Sequence, residues 1–129
     1  MKKLFIFDIF RVFYKPGFLL GGSYDEEMIQ LAYNLKQKGK RVVGMTNSIG
    51  PFKELDTVFD GKYTGSNLGF FKPEKKFFEY VLENEGVTPE DTVFVDDSQK
   101  NIEAASVLGI ESFLYTNAKD VEKFLERFL

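Results

Sequence analysis

Short apolar runs alternate along the whole chain with longer stretches in which apolar and polar residues mix. The apolar runs have few polar interruptions and are rich in Val, Ile and Phe, which is typical of strands that are buried on both faces of a parallel sheet. The run at 62–65 is the weakest of them. The pattern predicts five strands, at residues 3–10, 41–46, 62–65, 92–96 and 111–116.

Between the apolar runs, apolar residues recur at the spacing of a helix. The clearest case is 25–39, which opens with three acidic residues, ends at Gly39 and places four apolar residues on one face, namely Met28, Leu31, Ala32 and Leu35. Further helices are predicted at residues 50–59, with Pro51 near the first turn, and at 73–86, 98–109 and 118–129.

This β-α alternation predicts the fold class. We expect a three-layer α/β/α Rossmann-like domain with about five parallel strands and helices on both faces. A length of 129 residues suits a single domain, 1–129. Residues 11–24 contain three Gly and one Pro, so we expect an irregular loop above the carboxyl edge of the sheet, where such folds bind ligands.

Composition narrows the possible chemistry. The chain has no Cys and no His, which excludes disulfides, thiol catalysis, a Ser-His-Asp triad and a histidine-bound zinc. Acidic and basic residues nearly balance, with a net charge of -3, so we expect neither nucleic-acid nor membrane partners. The first residues, Met1-Lys2-Lys3, lead into a strand rather than a signal peptide, and the expected location is the cytoplasm.

Polar residues follow three of the predicted strands. Asp8 ends the first strand, Thr46 and Asn47 follow the second, and Asp96 and Asp97 follow the fourth. The carboxyl ends of parallel strands share one edge of a sheet, so these side chains should meet there. Lys72, before the helix that leads to the fourth strand, can reach the same edge. Carboxylates with a hydroxyl and a Lys suit Mg²⁺-assisted phosphoryl chemistry.

The order of these groups resembles that of the haloacid dehalogenase superfamily, whose members are mostly Mg²⁺-dependent phosphatases. The resemblance lies in three stretches, residues 5–12, 42–48 and 69–110. It implies that Asp8 is a nucleophile that forms an aspartyl-phosphate and that Thr46 binds the phosphoryl group together with Lys72. It also implies a magnesium site, with Asp97 as principal ligand and with further ligands from Asp8, Asp96 and the backbone carbonyl of Phe10.

The first motif departs from the phosphatase pattern. In the phosphatase members of the family the position two after the nucleophile is a second Asp, which serves as general acid and base. Here that position is Phe10, and it is followed by Arg11 in place of the usual Gly. Loss of general acid–base catalysis typically lowers the rate by roughly 10² to 10⁴. Most of residues 9–45, which separate Asp8 from Thr46, are taken up by the loop and one helix, so we expect no cap domain.

Several interpretations stay open. The chain is a slow phosphatase for a phosphorylated small molecule or macromolecule, or a catalytically impaired relative that serves as a binding module. A dehalogenase-like hydrolase fits less well, because this chain keeps the acidic pair and has no room for a cap. A receiver-type signalling domain also fits less well, because it would place the acidic pair on the first strand and the Lys-Pro after the last, whereas here the pair comes late and Lys72-Pro73 precedes it. Each of these groups also has a non-catalytic interpretation when it is taken alone. Asp96-Asp97 would cap the following helix, Thr46-Asn47 would form a turn, and Lys72 would be an ordinary solvated side chain. Asn47 is a further predicted phosphate ligand, and for Arg11 two interpretations stay open, in which its side chain either binds phosphate or points to solvent.

An aromatic-rich domain without a cap is also compatible with a homodimer.

Overall fold

The computed structural model describes residues 1–17, 21–48, 50 and 52–129. Strands occur at β1 (Leu4–Phe7), β2 (Tyr14–Lys15), β3 (Ser23–Tyr24), β4 (Arg41–Thr46), β5 (Gly61–Thr64), β6 (Thr92–Asp96) and β7 (Glu111–Leu114). Helices occur at α1 (Glu26–Gln37), α2 (Gly65–Leu68), α3 (Lys75–Glu85), α4 (Gln99–Val107) and α5 (Ala118–Leu125). Short 3₁₀ turns lie at Lys53–Thr57, Pro89–Asp91 and Glu126–Phe128.

Five strands form one parallel sheet in the order β5-β4-β1-β6-β7. The chain runs outward from β1 through β4 to β5, and then crosses back to place β6 on the other side of β1. Neighbouring strands β1 and β6 therefore send their connections in opposite directions, which makes their carboxyl ends the switch point where α/β folds bind ligands. The predicted fold class is confirmed.

The sheet is covered on both faces because its strands are apolar on both faces. Along β1, Phe5 and Phe7 pack into one core with α1 and α5, whereas Leu4 and Ile6 pack into a second core with α3 and α4. All four side chains are fully buried. This two-sided burial is what the uninterrupted apolar run predicted.

Helices α1 and α3 carry the terminal signals that the sequence indicated. Asp25 precedes α1, and its carboxylate accepts a hydrogen bond of 3.1 Å from the backbone N–H of Met28. The predicted apolar face of this helix is buried. Gly86 ends α3 with a φ of 70°, a left-handed conformation that glycine adopts without strain.

Three local predictions were wrong. The described part of 11–24 is not irregular throughout, because β2 and β3 pair as an antiparallel hairpin. The helix expected at 50–59 is a 3₁₀ turn at Lys53–Thr57, and Pro51 lies outside the described residues. The last helix ends at Leu125 and continues as a 3₁₀ turn.

Between β1 and α1 the described residues place only the β2–β3 hairpin and no cap domain. The longest helix in the described part of the chain has 12 residues, and none there is long and apolar enough to cross a membrane.

Candidate active site

The carboxyl ends of β1, β4 and β6 surround a cavity of about 230 Å³. Asp8 follows β1 directly, and its backbone N–H donates to the carbonyl of Val95 in β6 at 2.9 Å, so the two strand ends are tied together. Every side chain that the sequence singled out for chemistry lines this cavity: Asp8, Phe10, Arg11, Thr46, Asn47, Lys72, Asp96 and Asp97. Ser48 and Asn101 also line it, and neither was assigned a role from the sequence, although Asn101 lies within the stretch 69–110 that carries the family resemblance.

Lys72 is the central contact of the site. Its ammonium group lies 2.8 Å from Oδ1 of Asp8, 2.8 Å from Oδ2 of Asp96 and 2.8 Å from the carbonyl oxygen of Met45. The side chain is only 2% exposed, so it is not the solvated lysine that its sequence context alone suggests. Three acceptors match the three protons of the ammonium group, and the two carboxylates offset the energetic cost of burying its charge.

Asn47 fixes the position of Lys72. The backbone N–H of Lys72 donates to Oδ1 of Asn47 at 2.7 Å, and Nδ2 of Asn47 donates to the carbonyl oxygen of Lys72 at 3.2 Å. The loop before α3 is thereby attached to the end of β4. The sequence predicted Asn47 as a phosphate ligand, and in the structure both the oxygen and the nitrogen of its side-chain amide are hydrogen-bonded to the Lys72 backbone.

Asp96 accepts hydrogen bonds from three sides. Besides Lys72, the amide of Asn101 donates to it at 3.1 Å, and the backbone N–H of Ser98 donates to it at 2.9 Å. Ser98 occupies the N-cap position of α4 as expected, but its own side chain makes no capping hydrogen bond. Asp96 thus belongs to the site and also organises the start of α4. Asn101 lies on the first turn of that helix, and this position next to the acidic pair is the sequence signal that could have identified it.

Three carboxylates lie close together among the described residues. One ligand oxygen from each of Asp8, Asp96 and Asp97 falls within 4.8 Å of the others. Burial raises the pKa of Asp8 to about 7, with a further rise from Asp96 and Asp97, against the lowering effect of Lys72. Burial also raises the pKa of Asp97. The cluster holds more negative than positive charge, and its hard oxygen donors fit Mg²⁺.

Phe10 and Arg11 form another part of the cavity wall. The guanidinium of Arg11 lies 5.2 Å from the centre of the Phe10 ring, and that ring lies 6.2 Å from the ring of Tyr14. Arg11 has a φ of 70°, an uncommon conformation for a residue other than glycine. Its backbone N–H donates to the carbonyl of Tyr14 at 2.6 Å, which holds the turn in this shape.

Thr46 ends β4 and is buried. Its hydroxyl makes a contact of 3.5 Å with the carbonyl oxygen of Ser48, at the outer limit of a hydrogen bond. A hydroxyl held this weakly is available to a ligand in the cavity.

Comparisons with known proteins point to one family. The family model for haloacid dehalogenase-like hydrolases matches residues 18–109. The sesquiterpene phosphatase astK of Aspergillus oryzae is 33% identical over 101 residues, which cover 73% of this chain and 52% of that protein. The D-ribitol-5-phosphate phosphatase of Bacteroides thetaiotaomicron is 35% identical over 68 residues, covering 53% and 33%. The chain thus spans about half the length, or less, of these curated relatives.

Solved structures share the fold. An uncharacterized protein from Corynebacterium glutamicum superposes with a TM-score of 0.80 at 26% identity, over 98% of this chain and 94% of that chain. A mutant of a HAD family enzyme from Bacteroides thetaiotaomicron, solved with magnesium and inorganic phosphate, superposes with a TM-score of 0.64 at 25% identity, over 72% and 54%.

Proposed function

The chain belongs to the haloacid dehalogenase-like hydrolases, and on that premise we propose that it is a Mg²⁺-dependent phosphatase with Asp8 as its nucleophile. The observation that carries the proposal is the cluster of Asp8, Asp96 and Asp97 within 4.8 Å, with the Lys72 ammonium 2.8 Å from Asp8. The cluster lies at the switch point of the sheet. Phosphatases among the relatives support the reaction class.

In the proposed phosphoryl transfer each residue of the site has a separate role. An oxygen of Asp8 forms a bond to phosphorus while the bond from phosphorus to the ester oxygen breaks, which leaves an aspartyl-phosphate. Lys72 holds Asp8 in place and offsets its repulsion from the phosphate. The Thr46 hydroxyl and the Arg11 guanidinium are available to the phosphoryl oxygens, and the Asn47 amide holds Lys72 in position.

The magnesium ligands would come from the same cluster. Asp97 is the principal candidate, because Asp96 already receives three hydrogen bonds and Asp8 must keep one oxygen for attack. The carbonyl of Phe10 is a further candidate. When bound, Mg²⁺ supplies positive charge that draws the phosphate and the nucleophile together.

The test is hydrolysis of p-nitrophenyl phosphate by the purified protein, with Mg²⁺ and with chelator. We expect turnover that needs Mg²⁺ and that Asp8→Asn reduces to the level without enzyme. Asp8→Asn keeps the size of the side chain and removes the nucleophilic oxygen. Equal turnover by the wild-type protein and Asp8→Asn would contradict the proposal.

A second candidate function is a binding module that keeps the fold and the metal site without turnover. Phe10 and Arg11 favour it, because they replace residues that the phosphatase pattern requires. Titration with inorganic phosphate and Mg²⁺ separates the two. Binding that Arg11→Ala weakens, together with Asp8-independent background hydrolysis, would favour the binding module.

A further inference from the structure

The cavity wall at Phe10 limits which phosphates this site can cleave. We infer that its phosphoryl donors are those whose leaving group departs without a proton, namely acyl phosphates, phosphoric anhydrides and acidic aryl phosphates, and that the phosphoryl group then accumulates on Asp8. The inference rests on the proposed function and names its substrate class. It follows from the side chains that line the cavity.

Phe10 lines the cavity two residues after Asp8, and a phenyl ring neither donates nor accepts a proton. Arg11, beside it, carries a guanidinium that stays charged in proteins, so it stabilises an anion but does not protonate one. This part of the wall therefore offers a leaving group positive charge and an aromatic surface, but no acid.

The other ionisable groups around the cavity are already engaged. The Lys72 ammonium group donates its three protons to Asp8, Asp96 and the Met45 carbonyl. Asp96 accepts hydrogen bonds from three donors, and Asp8 is the nucleophile. Asp97 is the principal metal candidate, and a carboxylate bound to a cation has no proton to give. Within the described lining, no group is left to serve as general acid or base.

The first chemical step then depends on the leaving group. Asp8 forms a bond to phosphorus, and the departing oxygen takes the electron pair of the broken bond and leaves as an anion. A carboxylate, a phosphate or a nitrophenolate is stable as an anion, whereas an alkoxide is not. Without a general acid, alkyl phosphates lose roughly 10² to 10⁴ in rate, and acyl phosphates lose little.

The second step lacks the same assistance. Water must attack the phosphorus of the aspartyl-phosphate, which breaks the bond to the Asp8 oxygen and releases a proton to solvent. No side chain in the described lining is positioned to take that proton. Formation with an acyl phosphate is therefore faster than breakdown, and phosphorylated Asp8 builds up.

The leaving-group test compares acetyl phosphate, p-nitrophenyl phosphate, phenyl phosphate and ethyl phosphate, each with Mg²⁺. We expect kcat/KM of the wild-type protein to fall steeply along this series. Phe10→Asp should raise kcat/KM for ethyl phosphate by roughly 10² to 10⁴, and for acetyl phosphate by less than about tenfold. The matched control is Phe10→Asn, which has the size and polarity of Asp without its acid and should keep the steep dependence whatever its absolute rates.

The second readout is the mass of the intact protein after incubation with acetyl phosphate and an acid quench. We expect the added mass of one phosphoryl group on the wild-type protein and on Phe10→Asn, and none on Asp8→Asn or Phe10→Asp. Asp8-dependent turnover that is equally fast on ethyl and acetyl phosphate, without a phosphorylated species, would overturn this inference and leave the proposed function intact. No Asp8-dependent turnover or labelling on any substrate would overturn both.

Discussion

Lys72 and its neighbours show how a site with too many acids is held together at the level of single residues. The ammonium group has three acceptors at 2.8 Å and no room for more. It compensates one negative charge, while Asp8, Asp96 and Asp97 bring up to three. The pKa of Asp8 rises to about 7, mainly because the group is buried and further because Asp96 and Asp97 disfavour its charged form, while Lys72 acts in the opposite direction.

This raised pKa predicts how stability depends on pH. Asp8 binds more protons in the folded than in the unfolded state between pH 3.8 and about 7, so its contribution to the free energy of unfolding falls as pH rises through that window. The side chain of Asp8→Asn does not ionise, so this variant does not lose that part of its free energy of unfolding as pH rises. In chelator, we expect Asp8→Asn to be more stable than wild type at pH 8 by on the order of 2 to 4 kcal/mol, and nearly equal at pH 4.

Urea denaturation at both pH values measures the difference. Glu122→Gln, which removes an exposed carboxylate of α5, is the control and should change stability by less than about 0.5 kcal/mol at either pH. An Asp8→Asn gain of the same size at pH 4 and pH 8 would show that the charge of Asp8 is not its cause.

The site residues at the strand ends could be predicted from the sequence, because their residue types and their positions after the apolar runs can be recognised there. Asp8, Thr46 and Asp96 each end a buried apolar run, and a parallel sheet brings such ends together. The roles of Asn47 and Asn101 could not, since they depend on hydrogen bonds to residues 25 and 5 positions away. An Asn in a loop has many possible partners, and the sequence does not choose among them.

At the scale of elements, the β2–β3 hairpin depends on contacts outside itself. The Lys15 ammonium donates to the Tyr115 hydroxyl at 2.8 Å, the Tyr24 hydroxyl donates to Glu54 at 2.8 Å, and the Tyr14 ring lies 5.4 Å from that of Phe52. Strands of two residues have almost no pairing energy of their own. Two residues are also too few to form a recognisable hydrophobic pattern, whereas the buried strands of the sheet were predicted from their longer apolar runs.

Asp25 connects this hairpin to α1 and gives a prediction at the same scale. One of its oxygens caps α1, and the other lies 3.6 Å from the Lys15 ammonium and 3.4 Å from the Tyr115 hydroxyl. Asp25→Ala should lower the free energy of unfolding by roughly 0.5 to 2 kcal/mol, as loss of an N-cap does. It should also speed amide hydrogen exchange at Tyr14 and Tyr24, because the hairpin loses an anchor.

Asn117→Ala is the matched control. Asn117 caps α5 by accepting a hydrogen bond of 2.8 Å from the backbone N–H of Asp120, and its amide nitrogen donates to Oδ2 of Asp120 at 3.1 Å, so these side-chain hydrogen bonds stay within α5. We expect a similar loss of stability without faster exchange in the hairpin. Equal exchange rates at Tyr14 and Tyr24 in both variants would show that Asp25 stabilises only its helix.

At the scale of the whole molecule, the fold concentrates acids from distant parts of the chain at one point. Asp8 comes from the start of the sequence and Asp96 and Asp97 from its last third, and the crossover from β5 to β6 makes them neighbours. The hydrophobic pattern predicted the parallel sheet, but which strands stand side by side follows from packing of the helices on its two faces. The proposed binding of Mg²⁺ to this cluster would therefore be coupled to folding of the entire domain.

That coupling is measurable as a thermal shift. If the cluster binds Mg²⁺ in the folded state alone, a concentration one hundred times Kd adds about 2.7 kcal/mol of stability, on the order of 10 °C in Tm for a domain of this size. Asp97→Asn should abolish most of the shift, whereas Glu103→Gln, the same charge change on the exposed face of α4, should keep it. A shift of equal size in both variants would place the bound cation elsewhere. A shift that is larger at pH 8 than at pH 5 is the further expectation, because protonation of Asp8 competes with the cation for the same excess of negative charge.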